Sequence, residues 1–276
     1  MSSADARAES WNELTDLLFA GSWREGIGRF RSTCAFRGVT DARHDLRTTL
    51  TRLGARAGEL EGHILRNFRK YAQGQVALGQ AGAPVDSTWN WLAVAQHHGL
   101  PTRMLDWTFS PFVALHFATE EVERFERDAA VWVVDYARTN AFLPRPLQRV
   151  LADEGADVFT AEMLSRVAPS LAEFDALAAE RFVVFLEPPS LDERIVNQFA
   201  LFSLLSDPRV GLEQWLAEHP EVWRRIVVPA SLRWEVRDKL DQANVTERVL
   251  YPGLDGLCRW LARYYTPRGE GLGPRA

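Results

Sequence analysis

The segment from Gln96 to Ala118 concentrates residue types that bind and transform ligands. It reads Gln-His-His-Gly-Leu-Pro-Thr-Arg-Met-Leu-Asp-Trp-Thr-Phe-Ser-Pro-Phe-Val-Ala-Leu-His-Phe-Ala, with histidine, arginine, aspartate and tryptophan in one short stretch. Its dense part connects two helical patterns, and polar side chains crowded at the ends of elements are typical of ligand sites. We therefore expect this segment to form part of a binding or catalytic site.

An arginine followed by a glycine lies upstream of that segment. Phe36-Arg37-Gly38 comes at the end of a predicted strand, Arg31 to Arg37, which Gly38 is expected to terminate. A guanidinium presents a rigid fork of donors that matches two oxyanions, and glycine lets a ligand or the chain approach without a Cβ clash. The pattern suits a diphosphate, and its simpler alternative is a surface arginine beside a turn.

Residues on either side of Asp106 are further candidates for ligand contact. Asp106 is expected to pair with Arg103 or to accept backbone N–H groups, with a catalytic role as the alternative. Trp107 either packs in the core or stacks on a planar ligand. The predicted ligand-binding residues are Arg37, Gly38, Thr102, Arg103, Trp107 and Thr108.

The histidines of the segment indicate proton transfer or phosphate binding rather than a metal site. His97 and His98 straddle a predicted helix end, where the helix dipole favours a cationic imidazole. We expect His98 to face the site as a general acid or base, or as a phosphate ligand. His116 is alone on an apolar helix, and no clustered metal-ligand motif appears in the sequence. The commonest glycine-rich phosphate-binding loops and the Gly-x-Ser-x-Gly motif are also missing from the sequence.

Capping residues and apolar spacing predict the elements that position these candidates. Helices are expected at 11–20, 88–98, 111–127, 146–154, 160–180, 191–197, 231–243 and 254–264. The predicted caps are Ser10 for the first helix, Asp86 or Ser87 for the second, Ser110 for the third and Ser231 for the seventh. Apolar runs at 129–135 and 182–186 predict central strands, and further strands are expected at 102–107, 199–205 and 225–228. An amphipathic segment at 45–75 is weakened by Gly54, Gly58 and Gly62, so a break within it is expected. The composition of 79–84 predicts a loop. The predicted fold class is α+β, a mixed and mostly central β-sheet flanked by several α-helices.

The bulk composition narrows the class of protein. The chain has 276 residues, of which 46% are hydrophobic and 25% charged, which predicts a single domain at 25–270 after a helical extension at 1–24. A net charge of −5 argues against binding of nucleic acid over the whole surface. The basic and aromatic run Arg66 to Tyr71 is expected to form a solvated helix face, with a local contact to nucleic acid as the alternative. Without a long apolar run or a signal-peptide core, a cytoplasmic protein with no membrane partner is expected. Cys34 and Cys258 are expected to be buried thiols.

Two motifs together resemble the FRG family. Its signature is (Phe/Tyr)-Arg-Gly, as at 36–38, followed by Gln-His-x-Gly-x-Pro-Thr-Arg-x-x-Asp-Trp-Thr, as at 96–108. A later Arg194-x-x-x-Gln198-x-Ala200-x-Phe202 element is similar to a family element that usually has glycine in place of Ala200, and the resemblance extends to 251–257. The sequence is accordingly identified as a member of this family.

The order of these elements is also similar to that of ADP-ribosyltransferases. In those enzymes an arginine strand, a Ser/Thr-bearing strand and a late glutamate form the site for nicotinamide adenine dinucleotide (NAD). The resemblance implies that Arg37 contacts phosphate or the nicotinamide-side ribose, and that Thr108 or Ser110 supplies the hydroxyl, with helix capping as the alternative for Ser110. Gln198 takes the place of the glutamate, and an amide carries no charge with which to stabilise an oxocarbenium-like centre. Glu193 is the alternative carboxylate.

Two functions follow from these resemblances. The first is an NAD- or nucleotide-binding enzyme with NAD as cofactor, a toxin or phage-defence effector that modifies a macromolecular target or consumes NAD. Its predicted catalytic residues are Arg37, His98, Asp106 and Gln198. The second is a non-catalytic FRG module that binds a nucleotide or a partner protein. Both require that these four residues and Arg103 converge on one cleft.

Overall fold

A mixed β-sheet lies at the centre of the fold. The computed structural model of the protein describes residues 5–54, 56–79, 87–190 and 192–268. The strands are β1 (Asp5–Arg7), β2 (Trp23–Arg24), β3 (Arg29–Phe30), β4 (Cys34–Val39), β5 (Met104–Thr108), β6 (Ala129–Asp135), β7 (Val183–Leu186), β8 (Ala200–Leu205) and β9 (Trp223–Val228). The helices are α1 (Trp11–Phe19), α2 (Ala57–Gly79), α3 (Thr88–His97), α4 (Pro111–Ala118), α5 (Tyr136–Thr139), α6 (Arg145–Glu154), α7 (Ala161–Val167), α8 (Leu171–Asp175), α9 (Glu193–Asn197), α10 (Leu212–Glu218), α11 (Arg233–Gln242), α12 (Glu247–Leu250) and α13 (Leu254–Tyr264). This arrangement confirms the predicted α+β class.

The seven strands of the sheet have the order β1-β9-β6-β4-β5-β8-β7. β1 runs parallel to β9, and the other neighbouring strands are antiparallel. The predicted central position of β6 is confirmed. β7 was expected to be central but lies at the edge of the sheet, where the backbone of Phe159 pairs with Leu186. That cover explains why the edge strand is as apolar as a central one.

Alternate residues of β6 enter different apolar clusters, because successive side chains of a strand point to opposite faces. Val131 and Val133 pack in a cluster with residues of α1, α4 and α11, whereas Ala130, Trp132 and Val134 pack in one with residues of α10. A third cluster joins α3, α6 and α7 to β5, β7 and β8. The sheet is thus covered by helices on both faces.

Serine caps fix the starts of the helices around the candidate site. The side chains of Ser10, Ser87 and Ser110 accept hydrogen bonds from backbone N–H groups at the starts of α1, α3 and α4, as predicted. α4 was expected to continue to residue 127 but ends at Ala118, where the Thr119 hydroxyl donates to the Leu115 carbonyl at 2.8 Å. Ser231 does not cap α11, because residues 230–232 form a 3-10 turn.

Other boundaries also depart from the expected ones. The break expected in the 45–75 segment is confirmed at Gly54, whose φ of 93° lies in the left-handed region. The helix expected at 160–180 divides into α7 and α8, because Ser170 caps a new helix. Gly79 belongs to α2, while the rest of the loop expected at 79–84 and the alternative cap Asp86 lie outside the described residues. No helix in the described ranges is long and apolar enough to cross a membrane.

Neither cysteine is fully buried. Cys34 is partly exposed in β4, and Cys258 is exposed on α13, so the expected burial is wrong for Cys258. Residues 5–7, which fall within the helical extension expected at 1–24, instead form β1 at the other edge of the sheet. The N-terminal residues that the structure describes are thereby joined to the main sheet.

Candidate functional site

A cleft opens where β4 and β5 separate. The two strands pair through Phe36 and Thr108, after which β4 continues along β6 and β5 continues along β8. The cleft has a volume of about 890 Å³. Its polar lining residues are Arg37, Thr40, His44, Thr49, Arg52, Gln96, His97, His98, Asp106, Thr108, Glu120, Glu121, Arg124, Arg194 and Gln198. Arg37, His98, Asp106 and Gln198, predicted from the sequence as catalytic residues, therefore border one cleft.

Arg37 bridges the two strands at the point of separation. Its Nη1 donates to the Asp106 carbonyl at 2.5 Å, whereas its buried Nε has no acceptor among the residues that the structure describes. Burial and the neighbouring charge of Arg52 lower the pKa of Arg37, against the opposing charge of Asp106. Arg37 therefore has donor capacity beyond its contact with the protein.

Gly38 belongs to β4 rather than ending it, contrary to the sequence prediction. A Cβ built on Gly38 would lie 1.9 Å from the Ala114 carbonyl oxygen and 2.5 Å from the Ala118 nitrogen. α4 thus packs directly on the backbone of β4. It is therefore helix α4, rather than a ligand, that approaches the backbone at Gly38. This packing brings the residues that follow α4 to the rim of the cleft.

Asp106 faces the cleft within a chain of polar contacts. Its Oδ2 accepts a hydrogen bond from Nε2 of Gln96 at 3.0 Å, and the Oε1 of Gln96 accepts one from the Thr102 hydroxyl. Asp106 is exposed. Thr102, predicted to bind ligand, instead orients Gln96 from a buried position outside the cleft lining.

Arg103 lies outside the cleft lining, so the expected convergence fails at this residue. Its guanidinium donates to Glu61 of α2, at 2.6 Å from Nη2, and to Asp175 of α8. The side chain is buried, and these carboxylates raise the pKa of Arg103 against the effect of desolvation. The expected pair between Arg103 and Asp106 is therefore wrong, and Arg103 fastens β5 to two helices.

The side chains of Trp107 and Thr108 both make hydrogen bonds to other parts of the protein. Trp107 is 3% exposed, packs against Phe185 and donates from Nε1 to Ser203 at 2.8 Å. Of its two interpretations the structure supports core packing. The Thr108 hydroxyl donates to the Gln198 carbonyl at 2.7 Å and accepts from the Ser110 N–H, so it ties β5 to the start of β8 and to α4.

Both histidines of the pair line the cleft, although only His98 was expected to. His98 is exposed, and its ring centroid lies 5.1 Å from that of His97. Nε2 of His97 lies 2.6 Å from Oδ2 of Asp192, the residue that caps α9. His97 therefore joins the end of α3 to the start of α9, and His98 is the more accessible imidazole.

Gln198 reaches the cleft from the late segment of the chain. Its Nε2 donates to the Leu250 carbonyl at 2.9 Å, so the amide also anchors the end of α12. Glu193, the alternative carboxylate, is exposed and is not part of the lining. Arg194, one residue later, does line the cleft.

Sequence reasoning missed the acidic pair after α4. Glu120 accepts a hydrogen bond from the Tyr251 hydroxyl at 2.9 Å, and burial raises the pKa of Glu120. Glu121 accepts one from Thr40 at 3.1 Å and pairs with Arg124 at 2.6 Å. The sequence prediction continued this helix to residue 127 and singled out neither glutamate. The sequence does show two adjacent glutamates just after the segment from Gln96 to Ala118. A helix that ends before them would expose their carboxylates.

A buried arginine holds this wall of the cleft. Nη1 of Arg233 donates to the carbonyls of Thr40, Arg124 and Arg127, and Nη2 donates to that of Ala118 at 2.9 Å. Burial lowers the pKa of Arg233 to about 10. The side chain thus joins the end of β4 to the segment that carries Glu120 and Glu121.

The cleft is locally richer in positive charge than the chain as a whole. In the part of the chain that the structure describes, its lining includes four arginines (Arg37, Arg52, Arg124 and Arg194) and three carboxylates (Asp106, Glu120 and Glu121). The whole chain has a net charge of −5. His116 lies outside this lining and packs against Arg237 of α11, and the described residues contain no cluster of three potential metal ligands.

Comparison with known proteins identifies the part of the chain that forms most of this cleft. The FRG domain family matches residues 32–127, whereas no curated protein and no solved structure matches the chain. The match ends before Arg194 and Gln198, so the expected resemblance in the later segment is not covered by it. Arg37, both histidines, Asp106 and the acidic pair all lie within it. This chain therefore carries an FRG domain at residues 32–127.

Proposed function

We propose that this FRG domain binds NAD or a related nucleotide in the cleft, and that Arg37 holds the diphosphate. The position of Arg37 carries the proposal. Its guanidinium stands where β4 and β5 separate, and its contact with Asp106 uses Nη1. An arginine fork matches pairs of phosphate oxygens, so a diphosphate is the ligand group that best fits this side chain.

The size and charge of the cleft support a ligand of this class. A volume of about 890 Å³ falls in the range of about 300–1,000 Å³ that is common for small-molecule sites. Arg52, Arg124 and Arg194 add positive charge around Arg37. Four arginines against three carboxylates give the lining a small formal excess of positive charge, which favours an anionic ligand group beside the arginines.

An NAD-consuming reaction is the activity that we propose for the site. Bound NAD would supply a labile bond between nicotinamide and ribose. The protein would supply Arg37 for the phosphates, Asp106 and Glu120 as acceptors, and the exposed His98 for proton transfer. The acceptor of the ADP-ribosyl group would be water or a macromolecule, as in a toxin or defence effector.

A non-catalytic module is the alternative function. Gln198 replaces the late glutamate, and its amide donates to the Leu250 carbonyl, a structural contact. This observation favours ligand binding without turnover. Under this alternative the same cleft would bind the nucleotide and present it, or the segments around it, to a partner protein.

Titration calorimetry with NAD on the full chain tests the binding step. Arg37→Gln should weaken NAD binding at least about tenfold, the loss expected when a charged hydrogen bond is removed. Arg29→Gln is the charge-matched control, because Arg29 is exposed on β3 and outside the cleft lining. Its affinity should remain within about twofold of wild type, since a distant surface charge is screened. No binding by the wild-type chain would refute the proposal.

Two further measurements separate folding and turnover from binding. Arg37 contacts a strand, so Arg52→Gln provides a variant of an exposed side chain, which should weaken NAD binding without lowering the melting temperature. Nicotinamide release, measured by chromatography with and without cell lysate, then decides between the two functions. Release above that of Arg37→Gln supports the enzyme, and binding without release supports the module.

A further inference from the structure

Glu120 is a half-buried carboxylate of the cleft that lacks an ion pair among the residues that the structure describes. Glu121 pairs with Arg124, whereas the exposed Asp106, which also lacks an ion pair there, accepts a hydrogen bond from Gln96. Glu120 accepts from the Tyr251 hydroxyl, and no ion pair with it occurs among the residues that the structure describes. The Glu120 carboxylate is therefore not neutralised through an ion pair with the arginines that line the same cleft.

The fold places Glu120 close to the Arg-Gly signature. α4 lies against Gly38, with the Ala118 nitrogen only 2.5 Å from where a Cβ of that glycine would be. Glu120 comes two residues after Ala118, and Arg233 fixes the Ala118 carbonyl at 2.9 Å. The carboxylate and Arg37 are thus presented to one cleft by two directly packed elements.

The C-terminal part of the chain holds Glu120 in place. The hydroxyl of Tyr251 donates to Glu120, and two guanidinium groups lie over the Tyr251 ring, that of Arg194 at 5.3 Å and that of Arg259 at 5.4 Å from the ring centroid. A Cβ on Gly256 would lie 1.9 Å from the Tyr251 carbonyl oxygen, so the start of α13 packs on this backbone. These contacts restrict where Tyr251 can present its hydroxyl.

We propose that Glu120, oriented by Tyr251, accepts hydrogen bonds from hydroxyl groups of the NAD ribose that is distal to adenine. The inference rests on the proposed function. It assigns to Glu120 the acceptor role of the late glutamate, whose place in the sequence is taken by Gln198. A carboxylate repels phosphate, so in a cleft for a diphosphate ligand it suits the neutral hydroxyl-bearing part. Burial already disfavours the charged form of Glu120, and donated hydroxyl hydrogens would offset that cost. The ribose distal to adenine carries the bond to nicotinamide that an NAD-consuming enzyme breaks, so a carboxylate at this position would contact the reacting sugar.

The test compares two probes that differ in that ribose and carry the same charge. ADP, supplied as the methyl ester of its terminal phosphate so that it carries two negative charges like ADP-ribose, shares the adenosine diphosphate with ADP-ribose, so the ratio of the two dissociation constants reports the distal ribose. Calorimetry on the wild-type chain should show tighter binding of ADP-ribose. Glu120→Gln should reduce this preference about tenfold while leaving the affinity for ADP unchanged or stronger. Tyr251→Phe should reduce the preference by a smaller factor in the same direction.

Matched controls and outcomes separate this inference from the proposed function. Glu123→Gln and Tyr265→Phe change exposed residues of the same types and should leave both affinities unaltered. If the wild type binds neither probe, the proposed function fails and the inference fails with it. If it binds ADP without preferring ADP-ribose, or if Glu120→Gln keeps the preference, the inference alone is overturned. A loss of affinity for both probes by the same factor also overturns it, because that result indicates a structural role.

Discussion

Gly38 of β4 lies against Ala114 of α4 so closely that a Cβ on the glycine would be 1.9 Å from the alanine carbonyl oxygen. Gly38→Ala should therefore lower the free energy of unfolding by about 3 kcal/mol or more, since backbone must move to admit the methyl group. Chemical denaturation measures the change. Gly62→Ala is the control, because nothing lies within 4 Å of its Cβ position on α2. It should raise stability by roughly 0.5–1 kcal/mol. Equal effects of the two substitutions would contradict the packing argument.

Arg103 is expected to matter for stability rather than for ligand contact. Arg103→Met leaves Glu61 and Asp175 without their shared cation, and breaking a buried ion pair in this way costs about 3–5 kcal/mol. Arg149→Met, at an exposed position of α6, should change the free energy of unfolding by less than about 0.5 kcal/mol. Below its melting temperature the Arg103 variant should bind NAD as wild type does. A variant of wild-type stability that loses binding would reverse this assignment.

Glu120→Gln should stabilise the protein at neutral pH. Burial raises the pKa of Glu120 in the folded state above its ordinary value of 4.5. A carboxyl with a raised pKa favours folding while it is protonated, and this contribution is lost as pH rises through the raised pKa. The variant should exceed wild type by on the order of 1 kcal/mol at pH 7, with no difference below the ordinary pKa. Thermal unfolding from pH 4 to 8 measures this, and Glu123→Gln should show no such pH-dependent gain.

Acid should loosen the attachment of α13 through Glu247. Burial opposes ionisation of Glu247, but hydrogen bonds from Arg263 and the nearby charge of Arg237 outweigh it and lower the pKa from 4.5 to about 2. A depressed carboxyl pKa contributes stability above the ordinary value that is lost as pH falls toward the folded one. Wild type should therefore lose stability between pH 4.5 and 2. Glu247→Gln should be less stable at pH 7 by about 3 kcal/mol and lose less on acidification. If this variant lost as much stability on acidification as wild type does, the prediction would be contradicted.

Much of the secondary structure could be predicted because its causes are local. Ser87 and Ser110 cap helices through N–H groups three residues away, and the apolar run of β6 reflects its own burial. The end of α4 could not be predicted from apolar periodicity, since it coincides with the hydroxyl contact of Thr119. The edge position of β7 depends on cover by Phe159, which no pattern within the strand reveals.

The candidate site was predicted in part for the same reason. Arg37 and Asp106 stand out by residue type beside glycine and tryptophan, and both line the cleft. Arg103 stands out equally but is buried against Glu61, 42 positions away in sequence. Residue type and spacing do not distinguish a cation that faces a cleft from one that pairs in the interior.

The sequence by itself determined the FRG motifs, the α+β class and the local elements, because side-chain chemistry, capping and alternation act over a few neighbouring residues. Only the tertiary structure decided which charged groups share the cleft. It brought Glu120 to the rim through the contact of Gly38 with α4, and it joined Glu120 to Tyr251, which lies 131 positions away. Such pairings depend on how distant elements pack, and packing is settled by the whole core at once.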